Sequence, residues 1–213
     1  MSILNNLPTV PALFAFLATL SIPAPERLRP TWDAYFMTLA RLAAQRSNCM
    51  KRRVGCVVVR NNRVISTGYN GTPRHLRNCN AGGCARCNSG PGAGTGLSTC
   101  LCLHAEENAL LEAGRERVGD GAILYCDTCP CLTCSVKIAQ LGIAEVVYSQ
   151  SYNMDRDSER VFVDAGVRLR QFSPPRSGLM SWDGVEGVVA DQDDMIDGPE
   201  SLVVRGRSGS TKT

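Results

Sequence analysis

Apolar side chains near the start of the chain follow the spacing of one helical face. They stand at positions i, i+3, i+4, i+7 and i+11 and are Trp32, Tyr35, Phe36, Leu39 and Ala43. This pattern predicts an amphipathic helix whose aromatic residues pack against the core. Thr31 is placed to cap its N-terminus, and Asp33 falls in the first turn.

The rest of the pattern alternates between strands and helices. Two β-branched runs, 54–60 and 63–68, flank Asn61-Asn62 and predict a hairpin. Farther along, strands are predicted at 122–126, 144–149 and 167–172, and helices at 104–115, 132–140 and 157–165. Because strands alternate with helices, we expect an α/β fold with a mixed sheet covered on both faces.

Three segments do not follow this pattern. Residues 1–25 are apolar and interrupted by proline, so we expect an N-terminal arm, and residues 177–213 are rich in Gly, Ser and Asp and predict a disordered tail. The domain then spans 26–176. Residues 69–103 are irregular, and so long a stretch is usually functional or held by something other than a core.

No apolar run is long enough to span a membrane.

Charge is distributed unevenly along the chain. The net charge is +3, but residues 1–103 hold 12 of the 23 Lys and Arg residues and 2 of the 20 acidic ones. A basic first half favours an anionic partner, either free phosphates or nucleic acid. A solvated cationic face that balances an acidic one explains the same asymmetry.

Eleven cysteines, all between residues 49 and 134, change the picture more than charge does. An odd count argues against a complete disulfide framework, and Cys-x-x-Cys spacings are typical of metal ligation in a reducing compartment. Residues 1–25 contain no Lys or Arg to form the basic flank of a signal peptide. We therefore expect thiolates rather than disulfides.

Two short motifs carry the candidate chemistry: His104-Ala105-Glu106 and Pro130-Cys131-Leu132-Thr133-Cys134, each at the start of a predicted helix. Cys131 and Cys134 project from the same side of one turn, and His104 supplies a third ligand for zinc. Three protein ligands leave a fourth position to water, whose pKa zinc lowers toward ~7. Glu106 then shuttles the proton, and the order H-x-E…P-C-x-x-C is that of zinc deaminases acting on cytosine and adenine.

Several motifs resemble the deoxycytidylate (dCMP) deaminase family of fungal type over roughly residues 26–176. They are His104-Ala105-Glu106-Glu107-Asn108-Ala109, Gly68-Tyr69-Asn70-Gly71-Thr72-Pro73, Thr128-Cys129-Pro130-Cys131 and Tyr148-Ser149-Gln150-Ser151-Tyr152. The resemblance implies a three-layer α/β/α cytidine deaminase-like fold with a central mixed five-stranded sheet. It also implies a homo-hexamer that converts dCMP to dUMP for thymidylate synthesis. We further expect that dCTP activates the enzyme and dTTP inhibits it, each with Mg²⁺. The expected location is the cytoplasm and also the nucleus.

The resemblance also assigns site residues. It implies that His104, Cys131 and Cys134 bind zinc and that Glu106 transfers protons. The substrate-binding positions are Asn70, expected to bond the deoxyribose, together with Ala105, Arg115 and Tyr152. Arg115 and Tyr152 match family positions near the nucleotide phosphate or the effector, but an exposed helix-end charge and a packing aromatic residue explain them equally well.

The remaining cysteines predict a second, structural zinc. Cys49 and Cys79 resemble structural ligand positions in some family members, and the favoured set is Cys49, Cys79, Cys87 and Cys102. Cys84, Cys100 or His75 could replace one of them. A closed four-thiolate site would hold the irregular segment without a core. Cys56 and Cys126 are expected to be buried in strands, and Cys129 to point away from the catalytic zinc.

Two other functions share some of these features. A deaminase acting on a base in tRNA or single-stranded nucleic acid would need a basic groove with stacking aromatic residues, and we do not expect nucleic acid because the chain has few aromatic residues. A non-catalytic, zinc-stapled binding module would have structural cysteines and an incidental Glu106.

Overall fold

The computed structural model describes residues 8–19, 29–90, 95–151 and 156–173. Helix α1, Val10–Thr19, lies within the segment predicted as an arm and is described by itself. The predicted C-terminal tail lies outside the described residues. No helix in the described ranges combines the length and apolarity required to cross a bilayer. The remaining described elements belong to a compact unit formed by residues 21–176.

A five-stranded mixed sheet forms the centre of this unit. Its strands are β1 Gly55–Arg60, β2 Arg63–Tyr69, β3 Ile123–Thr128, β4 Glu145–Gln150 and β5 Arg168–Gln171. They lie in the order β2-β1-β3-β4-β5. β1 pairs antiparallel with β2 and β3, whereas β3, β4 and β5 run parallel. Asn61 and Asn62 both adopt positive φ angles, which suits the tight turn of the predicted hairpin.

Helices cover both faces of the sheet, as the alternating pattern predicts. They are α2 Trp32–Ala44, α4 Ala105–Val118, α5 Leu132–Gln140 and α6 Arg156–Asp164. The short helix α3, Ala85–Asn88, lies in the segment between β2 and α4 and is not one of them. Helix α2 packs on one face against Val57 and Val59 of β1, and α4, α5 and α6 pack on the other, where Cys56 and Val58 point. This period of two along β1 produces the three-layer α/β/α arrangement.

The expectation that all three aromatic residues of α2 pack inside was wrong for two of them. Phe36 is buried beside Tyr125, whereas Trp32 and Tyr35 are 45% and 43% exposed. Because Phe36 occupies the space against the sheet, Trp32 stacks on its ring and Tyr35 meets the same ring edge-on. They border an open groove of about 720 Å³ at the hairpin end of the sheet.

Helix α4 also runs farther than predicted. It continues past residue 115 to Val118, but Gly114 has a φ of 66°, which breaks the helical geometry inside the element. Glycine adopts this conformation without the steric cost that other residues incur. Between β2 and α4, the irregular segment contains α3, two 3₁₀ turns (Cys79–Ala81 and Leu97–Thr99) and a bridge between Gly71 and Leu103.

Candidate active site

The N-terminus of α4 lies directly against β2. A side-chain carbon on Gly68 would sit 2.1 Å from the carbonyl oxygen of Ala105, so only glycine permits this approach. Leu103 and Gly71 exchange backbone hydrogen bonds of 2.9 and 3.2 Å, which fixes the chain just before the helix. His104 is therefore held at the N-cap of α4 by its neighbours on both sides.

The N-terminus of α5 brings two thiols to the same place. Cys131 is the N-cap residue of α5, and Cys134 lies one turn along. The Nδ1 atom of His104 is 3.4 Å from the Sγ atom of each cysteine, and all three atoms lie within 4.8 Å of one another. Zinc with ordinary Zn–N and Zn–S bonds would separate such atoms by about 3.5 Å. The three residues thus fit one zinc ion.

The protonation of these groups also suits a cation. A hydrogen bond from the Cys134 thiol lowers the pKa of Cys131 to about 3, and the His104 ring adds to this shift. The hydrogen bond to Cys131 in turn raises the pKa of His104 to about 9. The contact with Cys131 raises the pKa of the Cys134 thiol. The low pKa of Cys131 favours the thiolate that zinc binds, and zinc would displace the protons of the other two ligands on binding.

The carboxyl group of Glu106 lies near enough to the candidate ligands for its charge to act on His104 and Cys134. The Glu106 side chain is buried in the first turn of α4. Burial raises the pKa of its carboxyl to about 7, although the charge of His104 opposes the rise. A carboxyl group with this pKa exchanges protons readily near neutral pH.

Glu107 and Lys137 join the two helices that carry the ligands. Glu107 Oε2 accepts a 3.2 Å hydrogen bond from the backbone N–H of His104, and its other oxygen forms an ion pair with Lys137 of α5. Lys137 lowers the pKa of Glu107 against the opposing effect of burial. This pair fixes the N-terminus of α4 relative to α5, and the sequence reasoning missed Lys137.

Asn70 is nearly buried and bonded through both ends of its side-chain amide. Its Oδ1 atom accepts hydrogen bonds from Ser47 Oγ at 2.6 Å and from the Val54 N–H at 2.8 Å. Its Nδ2 atom donates to the Arg52 carbonyl at 2.7 Å. Asn70 thus ties the end of β2 to the segment before β1, and its bond to deoxyribose stays a prediction.

The other predicted substrate positions differ in their placement. Ala105 is fully buried in the first turn of α4, and Arg115 is exposed just beyond the break at Gly114. Tyr152 lies outside the described residues.

Asp127, at the end of β3, was not singled out from the sequence. Burial raises the pKa of its carboxyl to about 6, and it accepts a hydrogen bond from the Gly55 N–H. An acidic residue directly after the apolar run 122–126 was the available signal.

The structure brings together the four sulfurs of the predicted second zinc site. The atoms lie within 4.8 Å of one another and belong to Cys49, Cys79, Cys87 and Cys102. A second such set consists of Cys84, Cys87, Cys100 and Cys102. Cys56 and Cys126 are fully buried in strands, as expected. Among the described residues, Cys129 is buried but belongs to neither set nor to the catalytic one.

Comparison with known proteins agrees with this geometry. A family model described as the cytidine and deoxycytidylate deaminase zinc-binding region matches residues 30–150. A deoxycytidylate deaminase of Schizosaccharomyces pombe is 71% identical over 155 residues, which are 73% of this chain and 48% of that protein. A deoxycytidylate deaminase of Saccharomyces cerevisiae is 73% identical over 146 residues, which are 68% of this chain and 46% of that protein. The chain thus spans about half the length of these curated relatives.

A solved structure shares the fold. It is the dCMP deaminase from the cyanophage S-TIM5 in complex with dCMP and dUMP, which is 32% identical to this chain. The match has a TM-score of 0.53 and covers 65% of this chain and 94% of the phage protein.

Replacing Lys137 should weaken zinc binding. In Lys137→Met, Glu107 loses the cation that holds it, so α4 and α5 are less firmly fixed and zinc affinity should fall about 10-fold. Competition with a chromophoric chelator measures this affinity. Arg160→Met is the matched control because Arg160 belongs to an exposed ion pair on α6, and its zinc affinity should not change. Equal affinities in both variants would contradict a positioning role for Lys137.

Proposed function

The chain belongs to the cytidine and deoxycytidylate deaminase family, and we propose that it catalyses the zinc-dependent hydrolytic deamination of dCMP to dUMP. One observation carries this proposal: His104, Cys131 and Cys134 converge within 4.8 Å beside a buried Glu106. Zinc at these three residues would supply Lewis-acid chemistry by lowering the pKa of water to about 7. A binding module with purely structural cysteines has no need of a buried carboxylate at this point.

Glu106 performs the proton transfers in this mechanism. Its carboxylate accepts a proton from water as the water oxygen attacks C4 of the cytosine ring, and the same proton passes to N3. Glu106 then takes the second proton of the attacking water and delivers it to the exocyclic amine. The C4–N bond breaks, ammonia leaves, and the uracil ring remains. Water and dCMP thus yield dUMP and ammonia.

The choice of dCMP as substrate is supported by two kinds of observation. The fungal relatives and the phage protein are named for dCMP, and the phage structure holds dCMP and dUMP. Basic side chains also lie close to the ends of β3 and β4, where Arg41 donates to Ser149 Oγ and Arg52 donates to Gln150. Guanidinium groups at this edge suit a nucleotide phosphate.

The proposal extends to regulation and assembly. The product dUMP would feed thymidylate synthesis, dCTP with Mg²⁺ would activate the enzyme, and dTTP would inhibit it. We propose a homo-hexamer in the cytoplasm and also in the nucleus, with a structural zinc at Cys49, Cys79, Cys87 and Cys102. The sulfur geometry supports this structural zinc.

Removing the carboxylate of Glu106 should abolish most of the activity without removing zinc. We expect kcat of Glu106→Gln to fall by about 10²- to 10⁴-fold because general acid–base catalysis contributes about that factor. Steady-state ammonia release and zinc analysis of the same preparation measure the two properties. Glu112→Gln is the matched control, since Glu112 is exposed on the same helix and its carboxylate forms a long ion pair with Arg74. A Glu106→Gln protein with full zinc and full activity would refute the mechanism.

A substrate panel tests the proposed function itself. Ammonia release is measured from zinc-loaded protein with dCMP, CMP, deoxycytidine and a cytosine-containing single strand. Each substrate is tested alone, with dCTP and Mg²⁺, and with dTTP and Mg²⁺. We expect turnover of dCMP alone, raised by dCTP and lowered by dTTP. Activity on the single strand alone would identify a nucleic-acid deaminase instead. Zinc-loaded protein inactive on all four would refute catalysis and favour a binding module.

A further inference from the structure

Six cysteines, one just before β1 and five between β2 and α4, form a small core of their own, here called the six-cysteine cluster. Its members are Cys49, Cys79, Cys84, Cys87, Cys100 and Cys102. Cys79, Cys84, Cys87 and Cys102 are buried, and Cys49 and Cys100 pack against them. Among the described residues, this cluster contains thiols and no aliphatic or aromatic side chain, unlike the two cores that flank the sheet. Thiols gathered in this way are more typical of metal ligation than of hydrophobic packing.

The six sulfurs divide into two sets of four that share two members. Cys87 and Cys102 belong to both sets; Cys49 and Cys79 complete the first, and Cys84 and Cys100 complete the second. All four sulfurs within a set lie within 4.8 Å of one another. Two tetrahedra that share one edge have this connectivity, with the shared edge joining Cys87 to Cys102.

The distances agree with zinc–thiolate tetrahedra. Zn–S bonds of about 2.3 Å place the sulfurs of a tetrahedron about 3.8 Å apart. The shared pair, Cys87 and Cys102, is separated by 3.9 Å, and Cys49 is 3.9 Å from Cys87. In the second set Cys100 is 3.7 Å from Cys87 and 3.9 Å from Cys84. A disulfide would bring two sulfurs to about 2.05 Å.

Backbone amides are also aimed at the sulfurs. The N–H of Met50 lies 3.5 Å from Cys79 Sγ, and the N–H of Leu101 lies 3.4 Å from Cys84 Sγ. Cys79 belongs to the first set and Cys84 to the second set. Hydrogen bonds to sulfur stabilise metal-bound thiolates, so each set has its own donor.

We propose that the six-cysteine cluster binds two zinc ions, each held by four thiolates, with Cys87 and Cys102 bridging the two metals. Six thiols release six protons when two Zn²⁺ ions bind, which leaves the cluster with two negative charges. The guanidinium of Arg86, hydrogen-bonded to Cys87, offsets part of this charge. The second metal goes beyond the single structural zinc proposed above and does not depend on catalysis.

The position of the cluster gives it a structural task. Cys102 lies two residues before His104, and Leu103 between them is bonded to Gly71. The segment from residue 71 to 103 has no strand among its described residues, so the metals would supply the cross-links that a core supplies elsewhere. Zinc at the cluster thereby anchors the chain that leads into α4.

Zinc content per chain tests the proposal. The full chain, purified with zinc and analysed by mass spectrometry of the metal, should hold three zinc ions, one at the catalytic ligands and two in the cluster. His104→Ala, which lacks a catalytic ligand, should keep the two ions of the cluster. Introducing Cys84→Ala and Cys100→Ala together should lower the content by one ion, because the second metal then keeps the two bridging thiolates alone. Cys56→Ala with Cys126→Ala is the matched control and should lose none.

An unchanged zinc content in the Cys84→Ala, Cys100→Ala protein would overturn the proposal in favour of a single four-thiolate site. Iron with inorganic sulfide in place of zinc would overturn it as well. X-ray absorption at the zinc edge of the His104→Ala protein supplies a test that does not rely on the cysteine variants folding. It should show sulfur neighbours together with a second zinc as a scatterer, and the absence of zinc–zinc scattering would contradict shared thiolates. Neither readout requires deaminase activity, so failure of the proposed function would be seen separately.

Discussion

The meeting of two helix N-termini is the constraint on which the candidate site depends. His104 and Cys131 are the N-caps of helices α4 and α5, so each N-cap contributes a candidate ligand atom. The positive ends of two helix dipoles repel each other when brought together. The Cys131 thiolate and the Glu107 carboxylate lie between them, and Lys137 completes the link. Negative charge thus stabilises the junction of the two helix N-termini. The same negative charge favours binding of a divalent cation.

The sheet determines where this junction forms. β2 and α4 approach so closely at Gly68 that a side-chain carbon there would collide with Ala105. Because β3 and β4 are parallel, the chain between them must cross over the sheet, and α5 forms this crossover. Cys131, the N-cap of α5, lies just beyond the end of β3. A packed strand therefore stands behind each ligand-bearing helix, and the first turn of α4 brings Glu106 to the same place. Catalytic groups placed on regular elements are held more precisely than those on loops.

Much of this arrangement could be predicted from the sequence, because it is encoded locally. The hairpin follows from two β-branched runs around Asn61-Asn62, and Cys131 and Cys134 share a face through their spacing. Long-range contacts were not accessible in the same way. The pairing of Lys137 with Glu107, the enclosure of the Asn70 amide by Ser47 and Val54, and the exposure of Trp32 depend on how distant elements pack. The break at Gly114 was missed because an apolar pattern reports a helical face and not a single φ angle.

Anomalous scattering at the zinc absorption edge, recorded from crystals of the zinc-loaded full chain, tests the central claim most directly. The account predicts a peak within bonding distance of His104 Nδ1 and of the Sγ atoms of Cys131 and Cys134, with the Glu106 carboxylate beside the metal and not bound to it. A peak that includes Glu106 as a ligand, or no peak at these three residues, would contradict the account.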